Sequence, residues 1–432
     1  MLLGALLALS LAAGPHADAP QAAASGDLKA VKKMLKELGP TSQAAIDSLV
    51  MAAGAGRLEI VDALLAAGVS PDGHNERGKL TALILAGYSG QEKVVGRLLA
   101  AKANPNELNQ DAEAPLHTCA AAANADAIVP LLLAAKANAN LVDRFGRTPL
   151  LVHAQSGHLG AVNALLAAGA DPLIIDKDGQ SALFLAAMKG HVKLLERLLE
   201  KDKRVDLQNG FGATPAVAAA SGGFLEVVQA LAAKGADLRL VTKEGIGALG
   251  IAVEQNHIAL VTWLATRVSP NLQNHPDGPS LHIAAFNGHR ALIPVLVKAG
   301  AKLELEHHDL TALHMAVARK HVDAARELID AGANPNFGGK QGAPPLSLAA
   351  LVGDVKVVEL LLERGAKLDG KNPQGGTAIR AAADNGNVDV VRLLLAKGAE
   401  SKAPDSFGKK PVDYARAKGH DEVVRLLAAA TQ

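Results

Sequence analysis

The chain has 432 residues, of which 49% are hydrophobic but only 2% aromatic, and its 44 Lys and Arg balance 43 Asp and Glu. A large globular core leans on aromatic side chains that bury about 150–250 Å² each, so apolar content made of Ala and Leu points to many thin, closely packed helical layers. A net charge of +1 lacks the basic excess of a nucleic-acid binder, and the single Cys119 excludes an intrachain disulfide and a cysteine-based zinc knuckle.

The first element, residues 1–13, is apolar apart from Ser10. It is too short to span a bilayer and has the length of a signal-peptide core. Ala17-Asp18-Ala19 fits a cleavage pattern of small residues, although no Lys or Arg precedes the apolar run and Pro20 would follow the cut. Residues 1–19 therefore read as a signal peptide, and the expected location is periplasmic or secreted. The alternative is a retained apolar cap on a cytoplasmic protein. With no Cys near residue 20, a lipobox-type lipid anchor is excluded. Residues 22–39 read as a partial unit with Leu28, Val31 and Leu35 at helical spacing. Lys29, Lys32, Lys33 and Lys36 read as its solvated side.

A period follows. One phrase recurs from Asp47, Thr81, Ala114, Thr148, Ser181, Thr214, Gly247, Pro279, Thr311, Pro344, Thr377 and Lys410, in steps of 32–34 residues. Each period reads as helix, turn, helix, loop. Thr148 and Thr214 suit a helix N-cap, with the following Pro at the first helical position. The first helix runs through small pairs such as Ala186-Ala187, and Gly157 can end it in a left-handed conformation. Val227, Val228 and Leu231 mark the second helix, which Gly235 stops. Four departures are expected to show. Pro130 and Pro294 fall inside second helices and predict kinks. One-residue deletions before Pro279 and Thr311 predict altered loops around the seventh to ninth copies. His153 occupies a slot where a small residue is usual. Cys119 falls in a small-residue core slot and reads as a buried hydrophobe rather than a nucleophile.

The opening phrase (Thr148-Pro149-Leu150, Ala114-Pro115-Leu116-His117, Thr311-Ala312-Leu313-His314) and the second signature (Gly157-His158, Gly190-His191, Gly288-His289, Gly419-His420) carry a family resemblance. So does the third, Leu165 through Pro172. With the 33-residue period they resemble the ankyrin-repeat family across nearly all of residues 22–430. The resemblance implies an all-α repeat solenoid, residues 20–432, with about twelve full copies over residues 42–430, hairpin-like fingers such as Asp143-Arg144-Phe145-Gly146, and terminal caps. It further implies a non-catalytic, monomeric scaffold that binds another protein on its concave face, with no nucleic acid, cofactor or membrane span in the mature chain. On the family's pattern that face takes the fingers and the two residues after each Ala pair. Here these positions supply the candidate contacts Tyr88, Arg144, Phe145, Met188, Phe211, Phe286 and Arg319, with Phe407 and the neighbouring Phe337. Aromatics and Arg are the residues that dominate interface energetics.

The fifteen histidines raise a metal or catalytic reading. Nine fall on repeat slots: His117, His282 and His314 in the opening phrase, and His158, His191, His257, His289, His321 and His420 after the turn. Equivalent slots lie roughly 10 Å apart, too far to share one ion at about 2.0–2.1 Å. That set reads as structural. His307-His308-Asp309 is the compact cluster off the ladder and reads as an exposed loop, with a small-ligand or metal site there as the alternative. Residues 73–80 nearly spell a phosphate-binding loop, but Leu80 stands where Ser or Thr must hold magnesium. No catalytic motif is present, so no enzyme is expected.

Overall fold

The computed structural model describes residues 18–76, 78–340 and 342–430. All but the last two residues of the signal-peptide reading lie outside the described residues. Among those described are 26 α-helices and no strand, with three isolated bridges at loop bases. Among the described residues no helix is long and apolar enough to cross a membrane. The helices come in pairs, an all-α, solenoid-like repeat architecture.

Two compact units are formed, one running to Gly222 and including Glu226–Ala236, the other comprising Gly223–Leu225 and the chain from Asp237. The first contains α1 (Ala19–Ser25), α2 (Leu28–Leu38), α3 (Gln43–Gly54), α4 (Leu58–Ala66), α5 (Ala82–Tyr88), α6 (Glu92–Ala100), α7 (Pro115–Thr118) and α8 (Ala125–Ala134). It continues through α9 (Pro149–Ser156), α10 (Leu159–Ala167), α11 (Ala182–Met188), α12 (Val192–Leu199), α13 (Pro215–Ser221) and α14 (Leu225–Ala233). The second holds α15 (Ala248–Glu254), α16 (Ile258–Leu264), α17 (Ser280–Phe286), α18 (Leu292–Lys298), α19 (Ala312–Ala318) and α20 (Val322–Asp330). Its last elements are α21 (Pro345–Val352), α22 (Val355–Glu363), α23 (Ala378–Asp384), α24 (Val388–Ala396), α25 (Pro411–Ala417) and α26 (Asp421–Ala429).

Within each unit, first helices stack on first helices, as α9 on α11 and α17 on α19, and second helices on second, as α8 on α10. Local chemistry sets the boundaries. The hydroxyls of Thr81, Thr148, Ser181, Thr214 and Thr311 accept the backbone N–H three residues on, capping the helix that follows. Gly157 ends α9 at φ 84°, a conformation only glycine adopts freely, and its N–H bonds the carbonyl of His153. The core is aliphatic and small, with Ala154, Ala161, Val162 and Leu165 wholly buried. Cys119 is buried too, and burial pushes its thiol pKa up to about 12, so it is a core residue as expected.

Several expectations need correction. The front unit, read as partial, has both helices, and it buries Met34 beside Val31 while Leu35 is only half-buried. In the first full copy the helix begins ahead of the recurring phrase: Ser42 caps α3 and Asp47 lies within it. Both prolines expected to kink a helix lie within continuous ones. Pro294 is the third residue of α18, where no intrahelical bond is lost, and α8 runs unbroken through the exposed Pro130. The irregularity of that copy sits instead in its first helix, where α7 gives way after four residues to a 3₁₀ turn, Cys119–Ala121. The loops before Thr311 are altered as expected. His307 and Leu310 pair across a two-residue turn with His308 at φ 50° and Asp309 at φ 62°.

Candidate protein-binding face

The fingers are built the same way in most copies. Asp143 accepts backbone N–H groups of Phe145 and Arg147 through its carboxylate, and its own N–H bonds the Arg147 carbonyl at 3.0 Å. Asp176, Asn209 and Asn372 repeat the arrangement. Neighbouring fingers then join by single backbone bonds, Arg144 to Asp111, Lys177 to Phe145, and Gly210 to Asp178. A row of fingertips results. Its presented position reads Asp111, Phe145, Asp178, Phe211 along the first unit.

Histidines fix this row to the helices. In the opening phrase, Nε2 of His117, His282 and His314 donates forward to a carbonyl of the next finger, that of Arg147, Leu310 and Ala343 respectively, at 3.0–3.1 Å. After the turn, Nε2 of His191, His289, His321 and His420 donates backward to the last carbonyls of the preceding first helix. Asn387 makes the same backward bond through its amide, and the amide of Asn124 donates to the Gly90 carbonyl just past the end of α5. The ladder therefore stands although no copy has the intact Thr-Pro-Leu-His phrase.

His153 departs from it. Fully buried, it donates from Nε2 to the Leu116 carbonyl at 3.0 Å, which leaves its Nδ1 bare to accept from Nδ1 of His158 at 3.2 Å. Burial holds the pKa of His153 at about 4, against the opposing effect of the Leu116 carbonyl, and burial holds His282 at about 4 likewise. Because these folded values are depressed, the stability they contribute is present above the unfolded value of 6.5 and is lost as pH falls toward 4. By pH 5 each should have cost about 2 kcal/mol. Urea midpoints at pH 7.5 and pH 5 will show this fall, and His153→Ala will lower the midpoint at pH 7.5 but reduce its pH dependence. An identical pH dependence in both proteins would remove His153 from the account.

The candidate contacts divide by burial. Phe145 is 46% exposed and Phe211 68%, each at a fingertip of the first unit. The guanidinium carbons of Arg144 and Arg147 lie 4.6 and 5.0 Å from the Phe145 ring centroid. Arg144 is itself held by Asp111, and Arg147 by Asp143 and Glu113. Phe145 thus projects from a rigid, cation-flanked base. Met188 and Phe286 are half-buried, and exposed Arg319 lies 3.8 Å over the Phe286 ring. Phe407, in the second unit, is 68% exposed. Phe337 is half-buried. Tyr88 differs from the expectation of a free aromatic: it is half-buried and packs on Val50, Leu80, Ile84 and Leu85. Arg147 was not foreseen, although an Arg two residues after a fingertip Phe is its sequence signal.

His307 is also corrected. It is buried, its ring 5.9 Å from that of His282, while His308 alone is exposed. Burial and the neighbouring His308 both lower the His307 pKa. Among the described residues no three His, Cys, Asp or Glu side chains gather where they could hold one metal ion. Two open hollows in the second unit have charged walls, one of about 460 Å³ between Arg290, Lys320 and Lys356 and one of about 320 Å³ beside Glu359 and Lys397.

The model of ankyrin repeats (three copies) matches this chain over residues 21–109, 93–176, 116–209, 183–274, 281–372 and 346–432. The chain is 28% identical over 163 residues to the ankyrin repeat and KH domain-containing protein mask-1 of Caenorhabditis elegans, covering 37% of this chain and 6% of that protein. It is 31% identical over 113 residues to the probable 26S proteasome regulatory subunit p28 of Saccharomyces cerevisiae, covering 25% of this chain and 50% of that one. A third likeness, 30% over 145 residues, is to an L-asparaginase of Dirofilaria immitis, covering 33% of this chain and 25% of that one. The chain spans half or less of the length of each of these relatives.

Proposed function

Because this chain belongs to the ankyrin-repeat family, a fold that serves as a scaffold for protein–protein interaction, we infer that it is non-catalytic and holds a partner protein along its fingertips and first-helix ends. The observation that carries this reading is the exposure of Phe145 and Phe211 at equivalent fingertip positions. In a chain with seven Phe, two Tyr and one Trp, two large apolar rings left in water on one row favour an interaction surface. The fingers that carry them are joined in series by backbone bonds, and that of Phe145 is also held by His117, so little conformational freedom is lost on binding. With helix layers roughly 8–10 Å apart and the two rings two copies apart, the partner would present two apolar footholds about 20 Å from one another. Affinity capture followed by cross-linking tests the reading: cross-links should cluster on the fingers around Phe145 and Phe211, and cross-links confined to the second helices would contradict it.

The same reading places the protein outside the cytoplasm, delivered by residues 1–19. The apolar run and the small residues before Pro20 support this. Mass spectrometry of protein from its native host should find a chain lacking Met1 and the apolar run. An intact Met1 on cytoplasmic protein would contradict it.

A further inference from the structure

The second helices of interior copies carry charges of both signs, and these pair from copy to copy, Arg97 with Asp62, Arg364 with Asp330 and Arg392 with Glu422. The second helix of the first pair, α2, is built differently. Lys29, Lys32, Lys33 and Lys36 recur at i, i+3, i+4 and i+7, which puts them on one side of the helix. Val31 and Met34 occupy the opposite side and are buried. All four lysines are exposed, and none forms an ion pair with a described residue. Of the two acids of this stretch, Asp27 caps the N–H of Ala30 and Glu37 also has a partner. No described copy precedes α2, so the carboxylate that a preceding helix supplies to Arg97 and Arg364 has no counterpart here. The result is a single-sign stripe roughly 10 Å long.

We propose that this lysine side of α2 docks on an anionic membrane surface, its ammonium groups meeting the phosphates of lipid headgroups. Two observations select that occupant. The side is diffuse: four flexible, exposed Lys with no buried group or concavity to seat a single anion, which suits a laterally mobile layer of phosphates. In addition, the apolar residues 1–13 lie a short stretch of chain upstream. An apolar segment beside a polybasic patch makes the two signals that lasting membrane attachment requires. The chain's net charge of +1 argues against nucleic acid as the occupant. A chain cut after Ala19 keeps α2 and its lysine side whole, and its docking is then weaker and reversible. It is also independent of the partner reading on the fingers.

The test is sedimentation of the full chain with phosphatidylcholine vesicles, alone or with roughly one-third phosphatidylglycerol. The wild type should prefer the anionic vesicles, and the preference should weaken with salt. At about a fivefold loss for each lysine near the surface, the variant Lys29→Gln/Lys32→Gln/Lys33→Gln/Lys36→Gln should lose roughly 10²–10³-fold of that partition. Its circular dichroism should be unchanged, and the matching set of four Lys→Arg substitutions should retain binding. Equal sedimentation of the Gln variant, or equal binding to neutral vesicles, would overturn the proposal. So would lysine-dependent binding to polyglutamate or duplex DNA without lysine-dependent binding to vesicles.

Discussion

A protein lacking residues 181–213 should fold to a shorter version of the same structure, while one lacking residues 181–196 should lose most of its helical signal from the first unit. The first cut joins equivalent positions. Gln180 closes its finger by bonding Asp176 and now precedes Thr214, whose hydroxyl caps α13 just as that of Ser181 caps α11. Helix α9, which stacks on α11, meets α13 in its place, and α11 normally stacks on both. The small surfaces match because Ala186 and Ala187 have their counterparts in Ala219 and Ala220, all buried. In a nearest-neighbour array one interface replaces two, and the rest is untouched. The second cut instead runs a finger into the middle of α12. It deletes the buried Leu194 and Leu195 and strands Leu198 and Leu199 without their turn. Deleting even one buried Leu side chain costs about 2–5 kcal/mol, so losing a first helix and half of its partner exceeds what a local repack can absorb. Circular dichroism and thermal melts of the two deletions decide the matter. Equal unfolding of both would show that copies are not interchangeable.

What could be read before the structure, and what could not, follows from the physics of the repeat. The 33-residue spacing located the helices because caps and C-terminal glycines act within a few residues of chain. In the first copy the recurring phrase and the cap part company for a related reason. Asp47 and Leu49 imitate the opening phrase, but the cap that forms is Ser42, accepting the N–H of Ala45 one turn earlier. Burial that depends on the next copy was harder to foresee. His307 sits in a polar stretch and reads as exposed, yet the shortened finger places its ring beside His282. Tyr88 and Phe286 share a repeat position, but their surroundings differ. At the equivalent position of the first copy stands Gly54, whose missing side chain is filled by Leu85, and Tyr88 packs on that cluster. Phe286 has Arg319 across its ring instead. Position within the period predicts which way a side chain points, and the adjacent copy decides whether it stays in water.

The most direct test of the scaffold reading is the affinity of the captured partner for three proteins: wild type, Phe145→Ala/Phe211→Ala, and Glu196→Lys. The two rings are the most fully supported candidates for anchors, one braced by Arg144 and Arg147 and the other 68% exposed. If each is a hot spot contributing about 2 kcal/mol, the double variant should bind roughly a thousandfold more weakly. Its stability should change by under about 1 kcal/mol, because exposed side chains rarely do more. Glu196, exposed on α12 away from the finger row, should tolerate Lys with affinity nearly intact. The opposite pattern, a destabilised Phe variant that still binds and a Glu196→Lys protein that does not, would place the interface on the second helices and leave the aromatics as packing between fingers.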